Sequence, residues 1–415
     1  MNEQLNWLIS VDDHVIEPPH VWQDRVPERF KSMAPHIVRD DEGEAWVYEG
    51  KRFATIGLSA AAGRKKDEFS PTPITYEDMR PGCYDSVARV EDMNRDGVLA
   101  SLCFPSFPRF CGQTFYEATD RELALLCVRA YNDWMIDEWS GSAPGRFIPG
   151  VILPLWDPAE GAREIERCAA KGAKAIIFSE NPAMLGLPSI HDRDRYWDPV
   201  FAAASDTNLP VCIHIGSSSK VPTTSADNPL VVTLALTPMN SMITCVDWLF
   251  SGNLERHANL KICLSEGGIG WIPYVLERCD YTVDRQGYWA SKGDYSLDLS
   301  QGKVESREVA APTSAATTTI PSQLFRERMF GCFIDDIHGL ECLDLIGVDN
   351  VMIETDYPHT DSSWPHSIET AHKRLAGRSE EDIYKILQGN AKRVFNFEPA
   401  AIPTVVTTTD SDIRA

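Results

Sequence analysis

Asp12 and His14 stand two residues apart where the apolar run Trp7-Leu8-Ile9-Ser10-Val11 gives way to Asp12-Asp13-His14. In an extended strand, residues two apart point to the same side, so a carboxylate and an imidazole share one space. That pair suits a divalent ion of borderline hardness, Zn²⁺, Mn²⁺ or Fe²⁺. The bland alternative is a turn-forming Asp-Asp beside a surface histidine. His214 lies inside the apolar run Val211-Cys212-Ile213-His214-Ile215. A buried imidazole there is either a satisfied core histidine or a ligand. Another run ends Leu264-Ser265-Glu266-Gly267-Gly268. Burying Glu266 is costly unless a cation or a set of donors meets it, the alternative being a structural Glu that caps the glycine turn. The last run ends Glu354-Thr355-Asp356-Tyr357-Pro358-His359, which puts Asp356 at a strand end and His359 in the loop beyond. His338 follows Asp335-Asp336-Ile337 in a similar loop.

These groups need a scaffold that brings the ends of several strands together. Eight short apolar runs are found, at residues 7–11, 97–104, 147–153, 173–178, 209–215, 260–264, 329–334 and 350–355. Amphipathic stretches separate most of them, among them Arg121–Trp139, Pro158–Lys171, Trp197–Asp206 and Trp271–Arg285. Near-continuous apolar strands followed by helices are what a parallel sheet buried on both faces requires. Eight such units without a glycine-rich phosphate loop predict a closed (β/α)8 TIM barrel, with an open α/β sheet as the alternative. The C-terminal ends of barrel strands converge on one mouth. Four of the eight run ends carry carboxylates or imidazoles, so their joint placement outweighs the bland reading of each alone.

Residues 1–398 are expected to form one barrel domain with insertions at 18–83, after strand one, and 286–325, before strand seven. The first insertion contains a predicted hairpin, Glu44–Phe53, and the second a Ser-, Thr- and Ala-rich stretch, Ala310–Thr319. Residues 399–415 read as a flexible tail or an oligomer arm.

Lys+Arg 39 against Asp+Glu 61 leaves a net charge of −22, which argues against nucleic-acid and anionic-membrane partners. The N-terminus lacks the basic and apolar regions of a secretory signal, and no apolar run approaches the roughly 18 residues of a membrane span. Eleven cysteines scattered without a CxxC pair fit thiols in a reducing cytoplasm better than a disulfide framework.

Val11-Asp12-Asp13-His14, Ile213-His214, Thr355-Asp356-Tyr357-Pro358-His359 and the late Leu387-Gln388-Gly389-Asn390-Ala391 occur in an order that resembles the amidohydrolase superfamily. The resemblance, over about residues 8–397, is to the amidohydrolase-related branch containing aminocarboxymuconate-semialdehyde decarboxylase and the resorcylate-type decarboxylases. It implies one or two divalent metal ions (Zn, Mn or Fe), the first held by Asp12, His14, His214 and Asp356, with Asp356 also shuttling a proton. The chain departs from those decarboxylases at strand six, where Glu266 stands in place of their histidine. A carboxylate there could act as a second catalytic group beside Asp356, or bridge two metals with His359 or His338 holding the second.

The resulting expectation is a metal-dependent enzyme acting on a small organic substrate by hydrolysis or non-oxidative decarboxylation. A dinuclear Fe or Mn/Fe monooxygenase and an inactive binding paralogue are the alternatives. Trp364, Phe104 and His338 are the expected substrate contacts, and the relatives lead one to expect a homo-oligomer, a dimer or larger.

Overall fold

Each of the eight apolar runs is a strand in the computed structural model, which describes residues 3–41, 43–290, 294–298, 303–307 and 319–403. The strands are β1 (Leu8–Val15), β2 (Val98–Pro105), β3 (two pieces, Phe147–Ile148 and Gly150–Val151, parted by Pro149), β4 (Ala175–Phe178), β5 (Val211–His214), β6 (Ile262–Ser265), β7 (Met329–Phe333) and β8 (Val351–Ile353). Neighbours in sequence are parallel neighbours in space all the way from β1 to β8. The ring closes just past the end of β8. There the Asp356 N–H donates to the Asp12 carbonyl at 2.9 Å, and the His14 N–H donates to the Tyr357 carbonyl at 2.6 Å. The expected TIM barrel is therefore present, with every barrel strand buried along its length.

The helices form where the periodicity places them, and their ends have local causes. Asp120 and Asp157 accept N–H groups in the first turns of Arg121–Trp134 and Pro158–Lys171. Gly172, at φ 109°, ends the second of these in a left-handed turn. Asp198–Thr207 and Ile272–Ala290 complete the predicted set, the latter running past Arg285.

The insertion after β1 holds a three-stranded antiparallel sheet, His36–Asp40, Gly43–Tyr48 and Lys51–Phe53. The predicted hairpin is its second half. Trp46 packs this sheet onto Trp22 and Phe107, which anchors it to the barrel. In the insertion before β7, Asp294–Asp298 pairs with Lys303–Arg307. Residues 308–318 and 404–415, which hold most of the Ser/Thr/Ala-rich stretch and of the tail, lie outside the described residues.

One expectation needs correction. Leu230–Phe250 is long and apolar enough to cross a membrane, because two adjacent apolar helices read as one span. Pro238 separates Leu230–Leu236 from Met239–Phe250, and the second turns Thr244, Cys245, Trp248 and Leu249 inward.

Glu17 staples the loop after β1 to the loop after β2. Its two carboxylate oxygens accept the N–H groups of Ser106 and Phe107, each at 2.9 Å. Burial pushes its pKa up to about 7, and those two hydrogen bonds only partly oppose the shift. A carboxyl raised in the folded state binds more protons there than in the unfolded chain, so its contribution to stability falls as pH rises from about 4.5 to about 7. The full shift corresponds to about 3 kcal/mol. Between pH 5 and 8, wild type should lose stability relative to Glu17→Gln in paired denaturant titrations. Parallel losses in the two proteins would assign the pH dependence elsewhere.

Candidate metal centre and active-site cleft

Asp12 and His14 both point into the barrel from β1, as their spacing requires, and Asp13 between them points the other way. Asp13 is a clamp. It accepts the Ser10 hydroxyl at 3.0 Å, the Thr355 hydroxyl at 2.5 Å, the Tyr357 N–H at 3.1 Å and the Ser101 hydroxyl of β2. One carboxylate thus fixes β1 to β2 and to the segment after β8. Arg89, fully buried, donates to the His14 carbonyl at 2.6 Å and lies over the Tyr357 ring at 4.2 Å.

Against this frame the inward groups converge. His14 Nε2 is 3.5 Å from Asp12 Oδ1, 3.3 Å from Asp356 Oδ1 and 3.2 Å from His214 Nε2. His214 Nε2 is 3.5 Å from Asp12 Oδ2 and 3.1 Å from Glu266 Oε2. His359 stacks on His14 with ring centroids 3.7 Å apart, and its Nδ1 is 3.0 Å from Asp356 Oδ1. Two triads, Asp12/His14/His214 and His14/Asp356/His359, each have a donor set close enough to share one ion.

The chemistry of these donors fits a divalent cation. Both oxygens of Asp12 and both of Asp356 are buried and accept no hydrogen bond from the described residues. Buried carboxylate oxygens without donors are costly, and a cation removes the cost. His214 Nδ1 is 2.5 Å from the Ile215 carbonyl, which takes the ring proton there and leaves the Nε2 lone pair facing the cluster. Burial holds His14 well below the usual imidazole range, with the neighbouring His359 and His214 adding to the effect, so it stays a neutral ligand. Burial also pushes Asp12 well above the carboxylate range, and the charges of Glu354, Glu266 and Asp356 push it further. For His359 burial opposes charging, yet Asp356, with Glu266 and Asp13 behind it, raises its pKa.

Glu266 and Asp356 both adopt left-handed backbone, at φ 56° and 53°. Such conformations strain a residue with a side chain and concentrate at functional sites. Gly267 permits the first of these turns, since a β-carbon there would collide with the Ser241 side chain. Glu266 also borders an open cleft of about 650 Å³ with Trp271, Phe333, Glu354, Asp361 and Ser362.

Three sequence-predicted substrate contacts do not reach this cleft. Phe104 is fully buried beneath the imidazoles, 5.1 Å from His214 and 5.9 Å from His14, where it packs against both rings. Trp364 turns back onto Tyr357 and Arg80 and donates to the Asp92 carbonyl. His338 rides on the helix Ile337–Glu341, which starts at the Asp336 cap and carries the ring outward to 73% exposure beside Glu341. Glu180 and Glu354 are two of the buried carboxylates that carry no role in the sequence reading. Glu180, after β4, holds the loop beyond His214 through the N–H groups of Gly216 and Ser218, both at 3.1 Å. Glu354, after β8, is 1% exposed and accepts the Glu266 N–H at 3.1 Å. A charged residue closing an apolar run was the available signal for Glu354; nothing in the spacing marks Glu180.

A family model described as amidohydrolase matches residues 20–397, and the chain belongs to that family. It is a metal-dependent enzyme of the amidohydrolase superfamily, a hydrolase or a carboxy-lyase. The matched stretch begins after β1, so Asp12 and His14 enter on geometry alone. A gamma-resorcylate decarboxylase from Rhodococcus jostii (strain RHA1) is 25% identical over 354 residues, 80% of this chain and 91% of the relative. An amidohydrolase from Mycobacterium avium subsp. paratuberculosis K-10 superposes with a TM-score of 0.70 at 21% identity, covering 94% of this chain and 99% of its own. The manganese-bound 5-carboxyvanillate decarboxylase from Novosphingobium aromaticivorans DSM 12444 gives 0.63 at 17% identity, covering 96% of this chain and 98% of its own.

His214→Ala should lower Mn²⁺ affinity by at least about tenfold while leaving the circular dichroism of the barrel unchanged. Full metal occupancy in that variant would remove His214 from the site.

Proposed function

We propose that the enzyme catalyses metal-assisted, non-oxidative decarboxylation of a small aromatic acid, with Asp12, His14, His214 and Asp356 holding the ion. The observation that carries this reading is the set of donor-less carboxylate oxygens of Asp12 and Asp356 facing two imidazoles, in a family whose relatives include resorcylate and carboxyvanillate decarboxylases. The bound ion would act as a Lewis acid toward a substrate oxygen next to the scissile carboxylate. Asp356 delivers a proton to the ring carbon as the carbon–carbon bond breaks and CO2 leaves with no change of oxidation state elsewhere. His359, 3.0 Å away and partly exposed, returns that proton from solvent. The stacked His14 ring keeps the His359 imidazole in line.

Hydrolysis is the second reading, favoured by Glu266 at 3.1 Å from His214, a second carboxylate placed to accept a proton from water. Assembly into a dimer or larger belongs to the same proposal, supported by the exposed Leu230, Val231 and Leu234. Ten buried free cysteines of the eleven suit a reducing, cytoplasmic setting.

The test is an anaerobic incubation of the Mn²⁺-loaded enzyme with a panel of hydroxybenzoates and of hydroxybenzoate esters and amides in ¹⁸O-water, following CO2 and product mass. CO2 without ¹⁸O in the aromatic product supports the proposal; ¹⁸O-labelled product without CO2 gives the site to hydrolysis. Asp356→Asn should cut kcat by about 10²-fold or more with a far smaller loss of metal affinity. An active Asp356→Asn enzyme would remove Asp356 from proton transfer.

A further inference from the structure

Away from the metal centre, the helix Ile272–Ala290 turns one long face to solvent. Tyr274, Tyr281 and Tyr288 recur every seven residues, which sets them in a row down that face, and they are 68%, 49% and 79% exposed. The charged residues beside the row are sorted by sign. Glu277 and Asp284, also seven apart, run along one edge, and Arg278 and Arg285 run along the other. All four are exposed. The Arg278 and Arg285 guanidiniums lie 5.1 and 5.7 Å from the Tyr281 ring, so the arginine edge is held against the tyrosine row. On that same edge, Met242, Ile243, Val246 and Phe250 of the neighbouring helix leave an apolar groove of about 510 Å³ against Val275. Asp247, which also borders the groove, is paired with His191 at 2.6 Å. Tyrosine and arginine are the residue types that carry binding energy at protein interfaces, and an exposed apolar groove beside them marks a contact surface.

The sorted charges identify the partner. Two acids and two arginines cancel, so the face selects neither an acidic nor a basic surface as a whole. It is complementary to itself. When two copies of this helix lie parallel about a two-fold axis, the acid edge of each faces the arginine edge of the other, and each tyrosine meets its own counterpart. Glu277 then meets Arg278 of the second copy, and Asp284 meets Arg285. An antiparallel pair would set acids against acids and arginines against arginines. At a net charge of −22 two copies repel over most of their surface, so contact is favoured where opposite charges match. We propose that this face is the two-fold interface of a homodimer, formed by parallel Ile272–Ala290 helices, with the helix of each copy covering the groove of the other. The proposal rests on the reading that the enzyme assembles into a dimer or larger, and is independent of the reaction.

The test is sedimentation velocity on the full chain, with circular dichroism to confirm folding. Two double variants are compared with wild type. Arg278→Glu/Arg285→Glu leaves acids on both edges, and Glu277→Arg/Asp284→Arg leaves arginines on both. Each alone should raise the dimer Kd at least about tenfold, and an equimolar mixture should recover to within about threefold of wild type. Mixing changes neither chain, so the recovery can arise only across the interface. Variants that weaken the dimer without recovery on mixing overturn the proposal. Variants that dimerise as tightly as wild type also overturn it, while leaving assembly to another face. A wild type that is monomeric at about 100 µM fails the assembly reading itself, which keeps the two failures apart. Tyr274→Cys supplies a measurement that does not depend on the charge variants. Position 274 meets its counterpart only in the parallel pair, so oxidation with copper phenanthroline should give a disulfide-linked dimer. A chain that stays uncrosslinked under those conditions overturns the parallel arrangement.

Discussion

Everything around the barrel mouth answers to one constraint: carboxylates and imidazoles from strand ends far apart in sequence are buried together without enough donors to satisfy them. In water each of these groups would be solvated at no cost. Among the described residues, nothing donates a hydrogen bond to the four carboxylate oxygens of Asp12 and Asp356, a state that a nearby cation would relieve. The folded scaffold must therefore hold like charges close until the ion offsets them. That demand falls on the polar contacts of the surrounding scaffold.

Asp13 meets the largest part of it. By gathering donors from Ser10, Ser101, Thr355 and Tyr357, it fixes the β8 end against β1 and so sets where Asp356 sits relative to Asp12 and His14. Arg89 supplies a positive charge behind the same strand without entering the cluster, since it is spent on carbonyls of Gly82 and His14. Glu180 does for the β5 loop what Asp13 does for β1, and Glu17 ties the first two loops together. These residues act on geometry; none is placed to touch substrate. The separation is physical, because a carboxylate already taking three or four hydrogen bonds has little left to offer a metal.

The sequence made the barrel legible because its strands are buried on both faces and so read as continuous apolar runs, all eight of which are strands in the structure. The convergence of Asp12, His14, His214, Glu266, Asp356 and His359 followed from their position at run ends. Spacing alone could not tell inward from outward in loops, and there the reading failed. His338 was carried away by a helix that begins one residue before it, and Trp364 folded back onto Arg80. Phe104 was misread for a different reason: an aromatic at a strand end can face ligands or substrate, and only packing decides. The Asp13 clamp was invisible because most of its partners lie far away in sequence, on β2 and in the segment after β8. The two short helices Leu230–Leu236 and Met239–Phe250 also merge in sequence, since Pro238 breaks the backbone without interrupting the apolar character.

Glu266 shows how one residue can change what such a scaffold accepts. The resemblance to decarboxylases implies a histidine at this position, a group that can be neutral or positive. Here it is a carboxylate in strained left-handed backbone, touching His214 on one side and offering its own N–H to Glu354 on the other. The two acids are thereby coupled: the backbone turn that presents Glu266 to the centre also orients Glu354. A histidine there would lower the negative charge at the cleft wall and favour an anionic group on that side.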